Sequence, residues 1–317
     1  MQPKRSGLAV QQPLTMSQKS RGIPDRAGYA EGSLTDWTVL ARLYRPSEWL
    51  LILFFTYTAF LAVSFNLPPA RRAAALAIPV LLCVLGYLES FSSRRATIVR
   101  DWVPVGMVLI AYWELAWFQS RHHLVALERH WLTWDHTLLI SWGFRAVIES
   151  LGGLIPSVLE ITYTLLYAIP PLSIGVLYLY GRRDRVETFL FPFLLGTFIA
   201  YGLLPHFPTA SPRVEFANTD LPLIVTIWRR LNLWILQHGD IDTGVFPSGH
   251  VTVAFSAAFA MMRALPEKPW LGRVLLGMAV SILTATIYGR YHYAADGLAG
   301  LLLSITAIWV AGVLRRD

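Results

Sequence analysis

The sequence predicts an all-α fold, a polytopic membrane helix bundle of about eight spans, and three observations carry that expectation. Of its 317 residues 55% are hydrophobic and only 15% charged, whereas a soluble domain carries about 25% charged residues. The mean hydropathy is +0.47. Apolar runs of roughly 20 residues, the length that crosses a bilayer, recur along the chain between short polar segments.

Taken in order, residues 1–45 are polar, basic and rich in Gly, Pro and Ser. No apolar core follows the first Lys and Arg closely enough for a cleavable signal peptide. The expectation is a disordered cytoplasmic tail leading into a short interfacial stretch at "WTVLARLYRPSEW". Spans are then expected near 49–67, 72–91, 101–119, 155–180, 187–207, 247–265, 270–289 and 292–314. The third is short and holds Glu114. Residues 121–150, with "RHWLTWDHTLLISW", are amphipathic and Trp-rich, which suits a helix lying in the membrane interface. Residues 208–246 form the longest polar connection, with a helix expected at "LPLIVTIWRRLNLWIL". The organisation is thus a tail (1–45), N-terminal spans plus an interfacial helix (46–150), and a helical core that carries the chemistry (151–317).

The net charge of +7 marks a membrane side, not a nucleic-acid partner, because no cationic stripe is interleaved with aromatics. With the N-terminus cytoplasmic, most Lys and Arg fall inside, among them Arg94, Arg95, Arg100, Arg182, Arg183, Arg185, Arg263, Lys268, Arg273, Arg315 and Arg316. Arg71 and Arg72 are the exceptions. This predicts cytoplasmic N- and C-termini. The lone Cys83 excludes an internal disulfide and a cysteine metal cluster, and no HExxH-like spacing announces a metal ion.

The alternation of spans puts four helix ends on one side, which this count makes the outer face, periplasmic, extracellular or lumenal. They carry "HFPTASPR", "FPSGHVTV" and "YGRYHYAAD", three segments distant in sequence. In "FPSGHVTV", Pro247 suits a first helical turn. The amides of Ser248, Gly249 and His250 would then form an anion seat at the helix N-terminus, with a titratable imidazole beside it. His292 and Asp296 are four residues apart and share a helix face. A carboxylate on one ring N–H fixes the tautomer of a nucleophilic imidazole, and ionisable groups in spans are costly and usually functional.

Cations for a phosphate centre are offered by Arg213 and Arg290. Arg290 lies about 200° round an ideal helix from His292, so it serves the same site only from a loop. Glu160, Tyr163 and Tyr167 share one face of the fourth span. Asp135 and His136 lie in the interfacial stretch, and His206 stands two residues before Pro208. His206, Glu160, Tyr163 and Asp135 are candidates for lining the pocket, while His122 and His123 look interfacial. For each of these lesser residues a structural role is the competing reading.

"PSGH" followed by "YHYAADGLAG" resembles the second and third signature motifs of the type 2 phosphatidic acid phosphatase superfamily. The resemblance spans about 155–314. It implies a six-helix-type core with His292 as nucleophile, Asp296 as its orienter, His250 as proton donor and Ser248 and Gly249 as phosphate ligands. The first motif of many phosphatases, KxxxxxxRP, has no clean copy; "PTASPR" occupies its place, with Arg213 as stand-in. The arginine that phosphatases carry six residues before the third-motif histidine is Thr286 here. Both departures are more similar to the inositolphosphorylceramide synthase branch.

The resemblance implies an integral-membrane, cofactor-independent and metal-independent enzyme acting on a phospholipid or lipid phosphate through a phosphohistidine. Water as acceptor makes it a phosphatase; a lipid hydroxyl, ceramide or diacylglycerol, makes it a phosphotransferase, the reading the departures favour. A vanadium haloperoxidase fits poorly with so much membrane content. A transporter would place its ionisable groups near the bilayer midplane on broken helices, not at span ends.

Overall fold

The computed structural model describes residues 43–87, 93–120, 122–239, 241 and 244–314. The expected disordered tail falls almost wholly on residues 1–42, outside the described residues. Every described element is helical.

The first described helix, α1 (Pro46–Ser64), starts three residues before the expected span, because Pro46 takes a first-turn position and the Glu48 side chain accepts from the Arg45 amide (2.8 Å). The segment read as interfacial therefore opens this span. Next come α2 (Pro69–Tyr87), with Val80, Leu81 and Val84 exposed as a lipid-facing surface requires, and α3 (Arg94–Leu115). The amphipathic stretch becomes α4 (Val125–His136), a π turn and α5 (Phe144–Glu149). Helices α6 (Leu154–Leu165) and α7 (Ile169–Leu179) run through a 3₁₀ turn as one span, Leu154–Leu179. Then follow α8 (Val186–Leu203), the four-residue α9 (Pro212–Glu215) and α10 (Ile227–Gly239). The chain closes with α11 (Gly249–Ala264), α12 (Pro269–Tyr288) and α13 (Ala294–Val313).

All eight expected spans are helical, but six described stretches are long and apolar enough to cross a membrane. The two others have clear reasons. Helix α3 carries Arg94, Arg95, Arg100, Asp101 and Glu114. Helix α11 has only 16 residues and sits at the centre, packed on α8, α12 and α13.

Small residues let those helices approach. Ala254, Ala257, Ala258, Ala260 and Ala264 on α11 are fully buried, and close backbone approach is what drives helix association in lipid. At Gly300 of α13 a Cβ would come within 2.8 Å of the Ser248 carbonyl. Any side chain there would push the start of α11 off α13. Helix α10 is pinned on one face by Arg229 and Asn232, both buried, and turns Ile227, Leu231 and Trp234 outward, as an interfacial helix does.

Candidate active site

Three segments converge where α8 ends, α11 begins and α12 turns into α13. The first, 208–213, is stitched down by backbone bonds. The Leu124 amide donates to the Pro208 carbonyl (3.0 Å), the Gly244 amide to Thr209 (2.8 Å), and the Arg213 amide to the Arg290 carbonyl (3.0 Å). The second segment meets the third through the Ser248 amide, which donates to the Asp296 carbonyl (3.0 Å). The third is a tight reversal in which the amides of Tyr291 (2.9 Å) and His292 (3.0 Å) both donate to the Thr286 carbonyl. Arg290 holds φ at 62° there, a left-handed conformation that costs a residue with a Cβ about 1–2 kcal/mol and that clusters at functional sites.

The reversal brings two imidazoles face to edge, ring centres 5.5 Å apart. His292 Nδ1 lies 3.0 Å from the Val245 carbonyl and 3.4 Å from Asp296 Oδ2. Both neighbours accept, so Nδ1 carries the proton and the lone pair of Nε2 points at His250 Nδ1, 3.4 Å away. The Tyr163 ring stacks on His250 (4.8 Å, 10° between planes) and on Tyr291 (4.5 Å, 25°). Tyr291 in turn donates to Glu160 Oε2 (2.6 Å). Burial, reinforced by the Glu160 charge, raises the Tyr291 phenol well above its usual range, so it stays a donor. Glu160 is closed off by Arg229 (3.1 Å) and the Asn232 amide (2.6 Å).

Arg290 lies in the loop, as service to this site requires, and is fully buried. One guanidinium nitrogen, Nη1, donates to Asp135 Oδ2 at 2.5 Å. Its Nε and Nη2 have no acceptor among the described residues. Asp135 Oδ1 accepts from the Ala294 amide (2.9 Å). Burial raises the Asp135 carboxyl above its ordinary value, against the opposing pull of Arg290.

The structure sorts the sequence candidates. His292, His250, Gly249 and Tyr163 line one cavity of about 280 Å³, and Tyr167 lines it too. Glu160 and Asp135 do not line it: Glu160 accepts from Tyr291, which does line it, and Asp135 accepts from Arg290, which lies outside the lining with Arg213, Ser248 and Asp296. His206 does not line it: the ring is exposed and its Nε2 meets the Tyr57 hydroxyl (2.7 Å). Arg213 is half-buried beside Arg290, in α9.

Two expectations change in detail. Helix α11 begins at Gly249, so Pro247 precedes the cap, and Ser248 is the cap residue, accepting from the Val251 amide (3.3 Å). With its own amide spent on Asp296, Ser248 leaves the outward-pointing amides to the first turn that begins at Gly249. Asp296 is a helix-capping residue, accepting from the Tyr293 amide at 2.9 Å. The nearest partner of His292 Nδ1 is a backbone carbonyl instead.

Several site residues escape sequence reasoning. Val245 acts through its carbonyl, which no side-chain motif reports. Tyr291 and Arg229 show no spacing until α10 folds onto α6. The cavity also reaches Gly106 and Leu109 of α3 and Pro170 and Pro171 of α7, a contact between spans that the sequence does not specify. Glu128 and Asp135, seven apart on an amphipathic helix, did carry a signal: one buried face. His123, Glu128 and Glu215 gather within 4.8 Å of one another, although no spacing brings them together.

The assembly is an integral-membrane helical bundle in which paired imidazoles, a buried guanidinium and a helix N-terminus gather at one place. A family model described as PAP2 superfamily matches residues 129–310, more than half the chain, and the chain belongs to that superfamily. It is 29% identical over 135 residues to a PA-phosphatase related-family protein of Dictyostelium discoideum, covering 41% of this chain and 24% of that one. It is 28% identical over 176 residues to YbjG of Escherichia coli (strain K12), whose name proposes an undecaprenyl-diphosphatase, covering 53% of this chain and 79% of that protein. The chain thus spans about a quarter of the first relative's length. No solved structure matches it.

Proposed function

We propose that this chain is a lipid phosphotransferase that works through a phosphohistidine on His292. The single observation that carries the reading is the imidazole pair, with Nδ1 of His292 committed to acceptors and Nε2 turned on His250 at 3.4 Å. The Nε2 lone pair attacks phosphorus while the bond to the lipid oxygen breaks. The departing oxygen takes its proton from the His250 imidazolium, without which an alkoxide is a very poor leaving group. His250, now neutral, removes the proton of the acceptor, whose oxygen attacks phosphorus and returns the electron pair to His292. Arg213, Arg290 and the first-turn amides from Gly249 onward hold the phosphate oxygens, whose charge peaks in the transition state.

Attack needs roughly 3–3.5 Å between reacting atoms, and proton delivery a further 2.6–3.2 Å. In-line transfer sets the P–O bond between those two contacts, so the nitrogens must stand well beyond their resting 3.4 Å, and substrate parts the rings. The cavity beyond them, walled by Leu109, Leu166, Val253 and tyrosines, suits the hydrocarbon of a lipid. A position at the outer leaflet, with ceramide or diacylglycerol as acceptor, follows from the charge count and from the branch the motif departures resemble.

Hydrolysis is the second reading, favoured by the names of both relatives, with water in place of the lipid hydroxyl. The test is purified protein with a panel of phospholipids and lipid phosphates, with and without ceramide or diacylglycerol. A new phospholipid supports transfer; free phosphate alone in every mixture supports hydrolysis. A strict Mg²⁺ requirement, seen as loss of turnover in EDTA, would overturn the metal-free scheme.

A further inference from the structure

Helix α4 lies outside the histidine motifs, yet one of its faces touches all three site segments. Glu128, Trp131 and Asp135 sit at i, i+3 and i+7, one stripe of a helix, and all three are buried. Glu128 Oε1 accepts the Ala210 amide at 2.6 Å, three residues before Arg213. The same carboxylate meets His123 Nδ1 at 2.8 Å, whose Nε2 lies 3.4 Å from Glu215, two residues after Arg213. The Arg213 segment is therefore gripped on both flanks. Trp131 stacks on Phe246 (5.1 Å, 29°) and leans on Tyr293 (5.6 Å), residues that adjoin the second and third motifs. Asp135 holds Arg290 through Oδ2 and the first amide of α13 through Oδ1.

We infer that α4 is a clasp that sets the phosphate-binding geometry, with Glu128 and Asp135 as positioning residues for Arg213 and Arg290. Asp135 occupies one guanidinium nitrogen of Arg290 and leaves Nε and Nη2 for an anion. Buried donors left without an acceptor are costly, so the arrangement favours whatever oxyanion supplies the missing acceptors. The carboxylate fixes where those donors point, as a bidentate fork demands. The clasp rests on the proposed reading only in taking a phosphate oxyanion as ligand.

The test is binding of inorganic phosphate, without turnover, to the full-length purified protein in detergent, by calorimetry or ³¹P NMR titration. Asp135→Asn is expected to raise the phosphate Kd at least about tenfold and Glu128→Gln about three- to tenfold, the scale of loosening one partner of a buried charge pair. Melting should shift down, because each variant loosens a buried charged contact. Kd and KM are therefore read on the folded fraction, and KM for the lipid phosphate should rise alongside Kd. Wild-type affinity in a folded Asp135→Asn protein overturns the clasp and leaves the site standing. A wild-type protein that binds no phosphate removes the site, and the clasp with it. Should Asp135→Asn not fold, Asp135→Glu makes the same comparison, keeping the charge but moving it by one methylene: weakened binding supports the clasp, unchanged binding overturns it.

Discussion

Helix α8 joins two ionic networks that differ in how their carboxylates are met and how deeply their arginines are buried. At its first end Glu48 takes Arg100 with both oxygens (2.7 Å each), Asp101 takes Arg45 (2.5 Å), Arg183 (2.9 Å) and the Tyr178 hydroxyl (2.5 Å), and Glu187 takes both the amide and the hydroxyl of Ser47. Every one of those carboxylate oxygens has a donor. At its other end a fully buried arginine, Arg290, keeps two N–H groups without an acceptor, and Asp296 Oδ1 has no donor among the described residues. Arg183 at the first end also keeps one nitrogen, Nη2, without an acceptor among the described residues, but its side chain is 32% exposed, whereas Arg290 is fully buried and keeps two. Fully buried donors of that kind are costly unless an anion meets them.

The comparison breaks most sharply at His292. His292→Ala should lower turnover by about four orders of magnitude or more, since removing a nucleophile leaves only binding and charge stabilisation. Acid-labile phosphate labelling of the protein should vanish with it; labelling that persists would exclude His292 as nucleophile. In the intact protein kcat/KM should trace a bell against pH, one limb from each imidazole. A flat profile between about pH 5 and 9 would deny them paired acid–base roles.

Arg290→Lys asks whether the unsatisfied donors matter. Lysine keeps the charge but cannot engage Asp135 and an oxyanion as a planar fork does. Turnover should fall about 10²–10³-fold, the scale of losing a preorganised donor in a transition state. The same exchange at Arg183, at the first end and partly exposed, should leave turnover within about twofold. Equal losses at both positions would erase the distinction between the two ends.

How much of this was legible in the sequence follows the same division. Spans, motif histidines and the convergence of three segments are written in runs of apolar residues and in their alternation, which the bilayer makes obligatory. Helix α3 was legible as a helix and ambiguous as a span, because its charged first turns belong to the network at the first end. Contacts made by backbone atoms were not legible: the Val245 carbonyl on His292, and the Ser248 amide spent on Asp296. Nor was the second duty of Asp296, since i+4 spacing from a histidine and third position in a helix fall on the same residue: its Oδ2 lies 3.4 Å from His292 Nδ1 and also caps α13. His206 illustrates the reverse error. Nearness in sequence to a motif says nothing about which way a 3₁₀ turn presents a side chain.

Between the two ends lies the cavity, and Gly106 of α3 tests what fills it. A Cβ at Gly106 would meet nothing within 4 Å, and the residue lines the cavity wall. Gly106→Leu should therefore project into the cavity while gaining about 0.5–1 kcal/mol of helix propensity. The expected outcome is a protein at least as heat-stable as wild type, with kcat/KM about tenfold lower for long-chain lipid phosphates. Turnover of a short, water-soluble phosphate ester should be unchanged. A uniform loss across chain lengths would mean that hydrocarbon does not occupy this space.

The smallest effect on catalysis is expected where the largest effect on stability lies. Glu48→Gln leaves Arg100 buried without its carboxylate, and breaking a buried pair by removing one partner costs about 3–5 kcal/mol because the remaining charge is uncompensated. Melting should shift down clearly, since Glu48 and Arg100 lock α1 to α3. Turnover per folded molecule should nevertheless stay within about twofold of wild type, because α8 and α11 fix the imidazoles through contacts that do not pass through Glu48. Scoring turnover against the folded fraction, not total protein, separates the two quantities. A folded Glu48→Gln protein with turnover down tenfold would show that the first end also holds the site, coupled through α8 along its length.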